Sequence, residues 1–232
     1  MTRIVCFDTE TTGFDFAIGD KIIEIGAVEV VDGEITANTF HEYINPERRP
    51  ISAAAYNVHK ISNTFLADKP LFPAVAKRFL DFAGNDLIVA HNGKGFDFPF
   101  MNFQLEAAGL PQIPTAQQED SMIMAQRKIS ELKSYSLDAL AKYFNISLES
   151  RSDAHGALID TYILARVYLE LTRRADKKTV LEIADAQHRD FLAAPKSDGT
   201  FPRRTFSPSA AEIEAHKKWI AATIKNPIWD AA

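Results

Sequence analysis

Four carboxylates and one histidine hold most of the chemistry this chain of 232 residues could perform. Asp8 and Glu10 stand in Phe7-Asp8-Thr9-Glu10-Thr11-Thr12-Gly13, directly after the apolar run Ile4, Val5, Cys6. β-Branched and aromatic residues leading into a Thr-Thr-Gly break predict a strand that ends in a tight loop. Alternate side chains of a strand share a face, roughly 6 to 7 Å apart, so Asp8 and Glu10 point one way and Thr9 the other. An isolated Asp-x-Glu is more often two solvated acids than a site. A converging pair, however, repels itself unless one member is protonated or a cation lies between, and carboxylate oxygens hold hard divalent ions best. The pair is therefore half of a Mg²⁺ or Mn²⁺ site, provided the later chain supplies the missing ligands.

Two later acids do so. Asp97 follows the apolar run Leu87-Ile88-Val89-Ala90 and the loop His91-Asn92-Gly93-Lys94-Gly95-Phe96, a position that predicts exposure at a cleft. Asp160 sits among Leu158, Ile159, Ile163 and Leu164, where an acid is costly unless paired, hydrogen-bonded or bound to metal. His155 precedes it by five residues, beside Gly156. Alone it reads as an exposed histidine at a helix start, but from there an imidazole can reach the same cleft. Hard oxygen ligands plus one base fit metal-assisted phosphodiester hydrolysis, with two ions about 3.5 to 4 Å apart and the histidine taking a proton from water. No Walker-type glycine loop or nucleophilic serine elbow competes with that chemistry.

The positioning elements follow from periodicity. Lys21 to Val31, the turn Asp32-Gly33 and Ile35 to Ile44 predict two further strands, making an antiparallel meander with the first. A short helix is expected within Ile51 to Asn63, and a longer one over Phe72 to Phe82 that Gly84-Asn85 closes. Leu87 to Ala90 has the pattern of a buried strand, Phe100 to Ala108 of a helix, and Ile113 to Asp120 of a weak fifth strand. Ser136 caps a helix with Leu137, Leu140, Ala141 and Phe144 inward, and the longest helix is expected from about Asp153 to Thr172. An α/β domain is thus expected over residues 1–178, a linker over 179–208 with its prolines between Ala193 and Pro208, and a tail helix over 209–232. Ser209 and Glu212 form a capping box, and Ile213, Ile220 and Ile224 make an apolar stripe near Trp219 and Trp229. A helix this short needs something to pack on, and its tryptophans favour a protein partner.

Composition narrows the class. The net charge of −5 argues against coating nucleic acid by bulk electrostatics, though not against a few phosphate contacts made locally or through metal. Cys6 is the only cysteine, so no disulfide framework or thiolate zinc site is expected, and its strand position predicts a buried, inert thiol. No apolar run is long enough for a bilayer and no signal peptide is recognisable, so the expectation is a soluble cytoplasmic protein without a membrane partner.

The segments Phe7 to Gly13, Ala90-His91-Asn92 with Phe96-Asp97, and His155-Gly156-Ala157-Leu158-Ile159-Asp160 together resemble the three motifs of the DEDDh family of 3′-to-5′ exonucleases. Ser136 to Leu140 and the tail are most similar to the proofreading members that serve bacterial replicative polymerases. The resemblance implies a ribonuclease-H-like mixed five-stranded sheet flanked by helices. It implies two Mg²⁺ or Mn²⁺ ions, with Asp8, Glu10 and Asp160 at the first, Asp8 bridging, and Asp97 at the second through water. His155 is the implied general base, and Thr11, Thr12, Gly13 and Phe14 the implied contacts to the 3′ nucleotide, with His59 and His91 near the site. Implied partners are single-stranded or frayed 3′ DNA ends and a polymerase catalytic subunit bound through 209–232. Gln187 to Leu192 loosely resembles a peptide that touches the sliding clamp, with an exposed linker start as the alternative. RNA trimming and stand-alone DNA repair remain alternative functions. Two departures stand out: Gly93-Lys94-Gly95 is one residue longer than the usual spacing of the proofreading members, and Lys60 occupies a position where many relatives carry glycine.

Overall fold

A computed structural model describes residues 2–148, 156–174 and 208–223. The chain divides into two compact units, Met1–Ala184 and Asp185–Ala232. His155, Gln187 to Leu192, Ile224 and Trp229 lie outside the described residues.

The first unit is built on β1 (Arg3–Thr11), β2 (Ile22–Val31), β3 (Glu34–Tyr43), β4 (Leu87–Ala90) and β5 (Gln118–Asp120), in the sheet order β3-β2-β1-β4-β5. β1, β2 and β3 form the expected antiparallel meander, whereas β4 runs parallel to β1 and β5 parallel to β4. Asp32 and Gly33 both take positive φ (49° and 85°), which gives a two-residue turn the twist that the flanking strands require.

Strand alternation divides the core. Val5 and Phe7 face α3 (Phe72–Ala83) and α4 (Asp97–Ala107), in a cluster with Val75, Phe79, Phe98 and Met101. Ile4 and Cys6 face α5 (Ser121–Lys128), α6 (Leu137–Tyr143) and α7 (Ala157–Thr172), in a cluster with Met124, Leu140, Leu164 and Val167. Cys6 is fully buried, and burial pushes its thiol pKa up, consistent with an inert group. Two shorter helices, α1 (Ala53–His59) and α2 (Asn63–Leu66), follow the meander. Lys60 closes α1 at φ 59°, a left-handed cap that glycine adopts more easily.

Four expectations need correction. α4 begins at Asp97 rather than Phe100, because Phe98 N–H is held by the Gly93 carbonyl at 2.9 Å and the turn is already closed there. Only Gln118–Asp120 of the weak fifth strand pairs with the sheet. α5 was not expected: Asp120 caps it, accepting from Met122 N–H (2.9 Å) and Ile123 N–H (3.3 Å). α7 begins at Ala157, four residues later than the apolar pattern suggests, since Gly156 is extended at its N-cap.

In the second unit α8 (Ala210–Thr223) starts with the predicted capping box: Glu212 N–H donates to Ser209 Oγ at 3.3 Å, and Ser209 N–H to Glu212 Oε2 at 2.8 Å. Ile213 and Trp219 are exposed, and the His216 ring stacks on that of Trp219. Among the described residues, no helix is long and apolar enough to cross a membrane.

Candidate active site

β1 outruns its parallel neighbour. The β1–β4 pairing ends at Cys6–Val89 and β4 itself ends at Ala90, so Asp8 to Thr11 extend past the end of β4, and a cleft opens there. Asp8, Thr9, Glu10, His91, Asn92, Phe96, Asp97 and Asp160 line it, closed at the rim by Val58 and Leu137, with a volume of about 240 Å³.

Asp8 and Glu10 share the sheet face that α7 covers. Asp8 lies opposite Gly26 on β2, and the first turn of α7 rests on that glycine: a Cβ there would fall 2.3 Å from Leu158 N. Thr161 Oγ1 donates to the Gly26 carbonyl at 3.1 Å. This close approach sets Asp160, itself buried, beside the pair, and Asp8, Glu10 and Asp160 each present an oxygen within 4.8 Å of the others.

Asp97 enters from the opposite layer. It is buried (3% exposed) rather than exposed as its loop position suggested, and it accepts from Thr9 Oγ1 at 2.7 Å. Thr9 therefore does point away from Asp8 and Glu10, and that orientation lets it fix the fourth acid. The loop before Asp97 is fastened by Asp120, which also accepts from Lys94 N–H at 3.0 Å. Gly93 is required there, since a Cβ would meet that of Ala90 at 2.4 Å.

The electrostatics mark the site. Burial first, then the charges of Asp97, Glu10, Asp160 and Glu24, hold the Asp8 carboxyl well above the usual range. Burial lifts Asp97 to about 7 against the pull of the Thr9 hydroxyl. Acids this crowded are relieved by a hard cation, and an all-carboxylate donor set fits Mg²⁺ or Mn²⁺.

The remaining candidates fall into different places. His91 is on the cleft, with Nδ1 2.9 Å from Ser121 Oγ, and burial lowers its pKa. His59 is buried behind the loop; its Nδ1 accepts from Ile61 N–H at 3.0 Å, which leaves the neutral ring's proton on Nε2. Burial lowers the pKa of His59 as well. Thr11 and Thr12 are buried and hold the loop: Thr12 Oγ1 donates to Asp20 Oδ1 at 3.1 Å. A Cβ on Gly13 would fall 2.3 Å from Asp20 Oδ2, and Arg49 Nε binds Asp20 Oδ1 at 2.9 Å. Only Phe14, 67% exposed, presents its side chain to solvent.

Thr9, Glu24 and Asp120 were not foreseen. Glu24 is the buried cross-strand partner of Glu10, and its Oε1 lies 2.6 Å from His41 Nε2. A signal existed for it, an acid inside Ile22-Ile23-Glu24-Ile25, and another for Asp120, whose pairing with Ser121 is a helix start. Thr9 gave none.

The cleft with its acids joins a known class of nuclease. Residues 5–168 match the RNase_T exonuclease family, to which the chain belongs; it is a 3′-to-5′ exonuclease of the DEDDh type and depends on divalent metal. The chain is 36% identical over 230 residues to DNA polymerase III subunit epsilon of Rickettsia felis, covering 97% of this chain and 98% of that one. It is 42% identical over 178 residues to DNA polymerase III subunit epsilon of Escherichia coli, covering 74% and 72%. Among solved structures it is similar to exonuclease X in complex with 5′-overhanging duplex DNA, at TM-score 0.57 and 30% identity over 73% of this chain and 91% of that one. The sheet and its helices are the ribonuclease-H-like fold of these exonucleases.

Proposed function

We propose that the chain removes nucleotides from single-stranded or frayed 3′ DNA ends as the proofreading subunit of a replicative polymerase. The observation that supports this most is the convergence of Asp8, Glu10 and Asp160 within 4.8 Å, with Asp97 on the same cleft. Asp8, Glu10 and Asp160 would hold one Mg²⁺ or Mn²⁺ ion, and Asp97, with Asp8, would serve a second. When bound, such ions supply the charge that activates water and steadies the leaving oxygen. Thr9 keeps the Asp97 carboxylate aimed at the cleft, and the buried Thr11–Thr12 loop sets the floor for the 3′ nucleotide, which Phe14 covers. His155 would take the proton from the attacking water as general base.

The polymerase partner is the catalytic subunit, bound through residues 209–232. Exposed Ile213 and Trp219 on α8 supply apolar anchors of the kind that dominate such contacts. A sliding-clamp contact through Gln187 to Leu192 is a further partner reading, tested by Leu192→Ala in a clamp pull-down.

The test incubates the pure chain with 3′-labelled DNA and RNA ladders in Mg²⁺ or Mn²⁺. DNA shortening that chelator abolishes, and that Asp8→Ala and His155→Ala lose while remaining folded, is the expected result. Preference for RNA, or undiminished activity in Asp8→Ala, overturns the reading. Deletion from Ala193 is expected to abolish polymerase co-purification and leave the exonuclease intact.

A further inference from the structure

One acid crowds the cation site without belonging to it. Glu24 on β2 stands directly opposite Glu10 in the antiparallel pair, just as Gly26 stands opposite Asp8. Side chains opposite one another on paired strands share a sheet face, with Cβ atoms about 4.5–5.5 Å apart, so Glu24 extends the row of Asp8 and Glu10 by one strand. It is 2% exposed. Burial and the charges of Asp97, Glu10 and Asp160 hold the Asp8 carboxyl above its usual range, and the charge of Glu24 adds to them. The Glu24 carboxylate is therefore felt at the centre of the site.

Its two oxygens are used differently. Oε1 lies 2.6 Å from Nε2 of His41 on β3, and because a carboxylate only accepts, that nitrogen carries the proton between them. Oε2 is buried and has no hydrogen-bond partner among the described residues. A buried charged oxygen without a donor is costly, and its place beside other acids adds repulsion to that cost. The contact with His41 alone does not account for it: the His41 side chain is 33% exposed, so water can serve it without a buried acid. Nor is Glu24 one of the converging ligands, since the oxygens that lie within 4.8 Å of one another are those of Asp8, Glu10 and Asp160.

We infer that Glu24 is an outer acid of the cation site: it is not a ligand, and its fixed charge beside Glu10 strengthens the hold of Asp8, Glu10 and Asp160 on a divalent ion. This rests on the metal reading of those three acids. His41 acts as a positioning residue, since it fixes Oε1 and with it the carboxylate. The role has a signature of opposite signs. The Glu24 charge works against the metal-free chain, where it only repels its neighbours, and in favour of the chain that holds an ion. An acid that merely built the strand pair would stabilise both.

The test titrates the full, metal-free chain with Mn²⁺ by calorimetry and follows its thermal melt in chelator. Glu24→Gln removes the charge and keeps an acceptor for His41. It is expected to raise the Kd for Mn²⁺ about tenfold, the low end of what outer groups of metal sites contribute, while melting in chelator no lower than wild type. Glu24→Asp keeps the charge and is expected to bind Mn²⁺ more tightly than Glu24→Gln. An unchanged Kd in Glu24→Gln overturns the inference. A Glu24→Gln chain that melts lower in chelator, or does not fold, also overturns it, because Glu24 would then serve the fold. So does an equal loss of affinity in Glu24→Asp, since shape rather than charge would carry the effect. Wild-type chain that binds no Mn²⁺, or Asp160→Asn that binds it as tightly as wild type, would instead refute the cation site itself.

Discussion

Gly26 tests whether the cleft is set by how closely α7 approaches the sheet. In Gly26→Ala the new Cβ meets Leu158 N at 2.3 Å, the Ala157 carbonyl carbon at 2.4 Å and its oxygen at 2.6 Å. All three are backbone atoms, so no rotamer relieves the clash. Ordinary contact begins near 3.4 Å, and the start of α7 must retreat by about 1.1 Å. Asp160 lies in that same turn and moves with it, away from Asp8 and Glu10. Overpacking of this kind costs about 1–3 kcal/mol of stability, and a misplacement of about 1 Å at a catalytic group costs about 10²-fold in rate. The assay is kcat/KM on 3′-labelled single-stranded DNA across a Mg²⁺ titration, with a thermal melt to confirm folding. The expected outcome is a folded variant about a hundredfold slower that also needs more metal. Gly156→Ala is the control, since a Cβ there meets nothing within 4 Å, and it is expected to stay within a few-fold of wild type. A folded Gly26→Ala enzyme within twofold of wild type would refute the claim that this contact places Asp160.

Metal-free protein is expected to lose stability as pH rises from about 4, the ordinary carboxylate range, through about 7, because folded Asp97 and Asp8 hold protons that the unfolded acids release. Melting temperature in chelator should therefore fall across that window, less steeply in Asp97→Asn and not at all once Mg²⁺ is saturating; a profile identical in Asp97→Asn refutes it. Thr9→Val removes the 2.7 Å hydrogen bond to Asp97 and so raises that pKa further. The acidic limb of the pH–rate profile should move upward, with about a tenfold loss near pH 7, given ~1.5–3 kcal/mol for a hydrogen bond to a charged group. Asp120→Ala loses the cap of α5 and the tie to Lys94 N–H. A destabilisation of about 1–2 kcal/mol is expected, lowering the melting temperature by roughly 2–8 °C; an unchanged melt counts against the staple.

What the sequence disclosed depended on whether a constraint was local. The meander was legible because alternation and the Asp32-Gly33 turn act within a few residues, and the acids were legible because a carboxylate among Leu158, Ile159 and Ile163 is costly without a purpose. Asp97 was found as a residue but misplaced, since exposure was inferred from a loop that Asp120, a distant residue in sequence, in fact fastens into a helix start. Gly26 and Thr9 gave no local sign at all. Each matters only through what the fold brings against it, a helix backbone in one case and an acid from the other layer in the other. The two halves of the acidic site thus come from opposite sides of one sheet. β1 can present both because it extends past β4, and its alternation then assigns Asp8 and Glu10 to α7 and Thr9 to α4. A one-residue slip of β1 would exchange those assignments and leave no cation site, so the register of this strand against Gly26 is as much a part of the active site as the acids themselves.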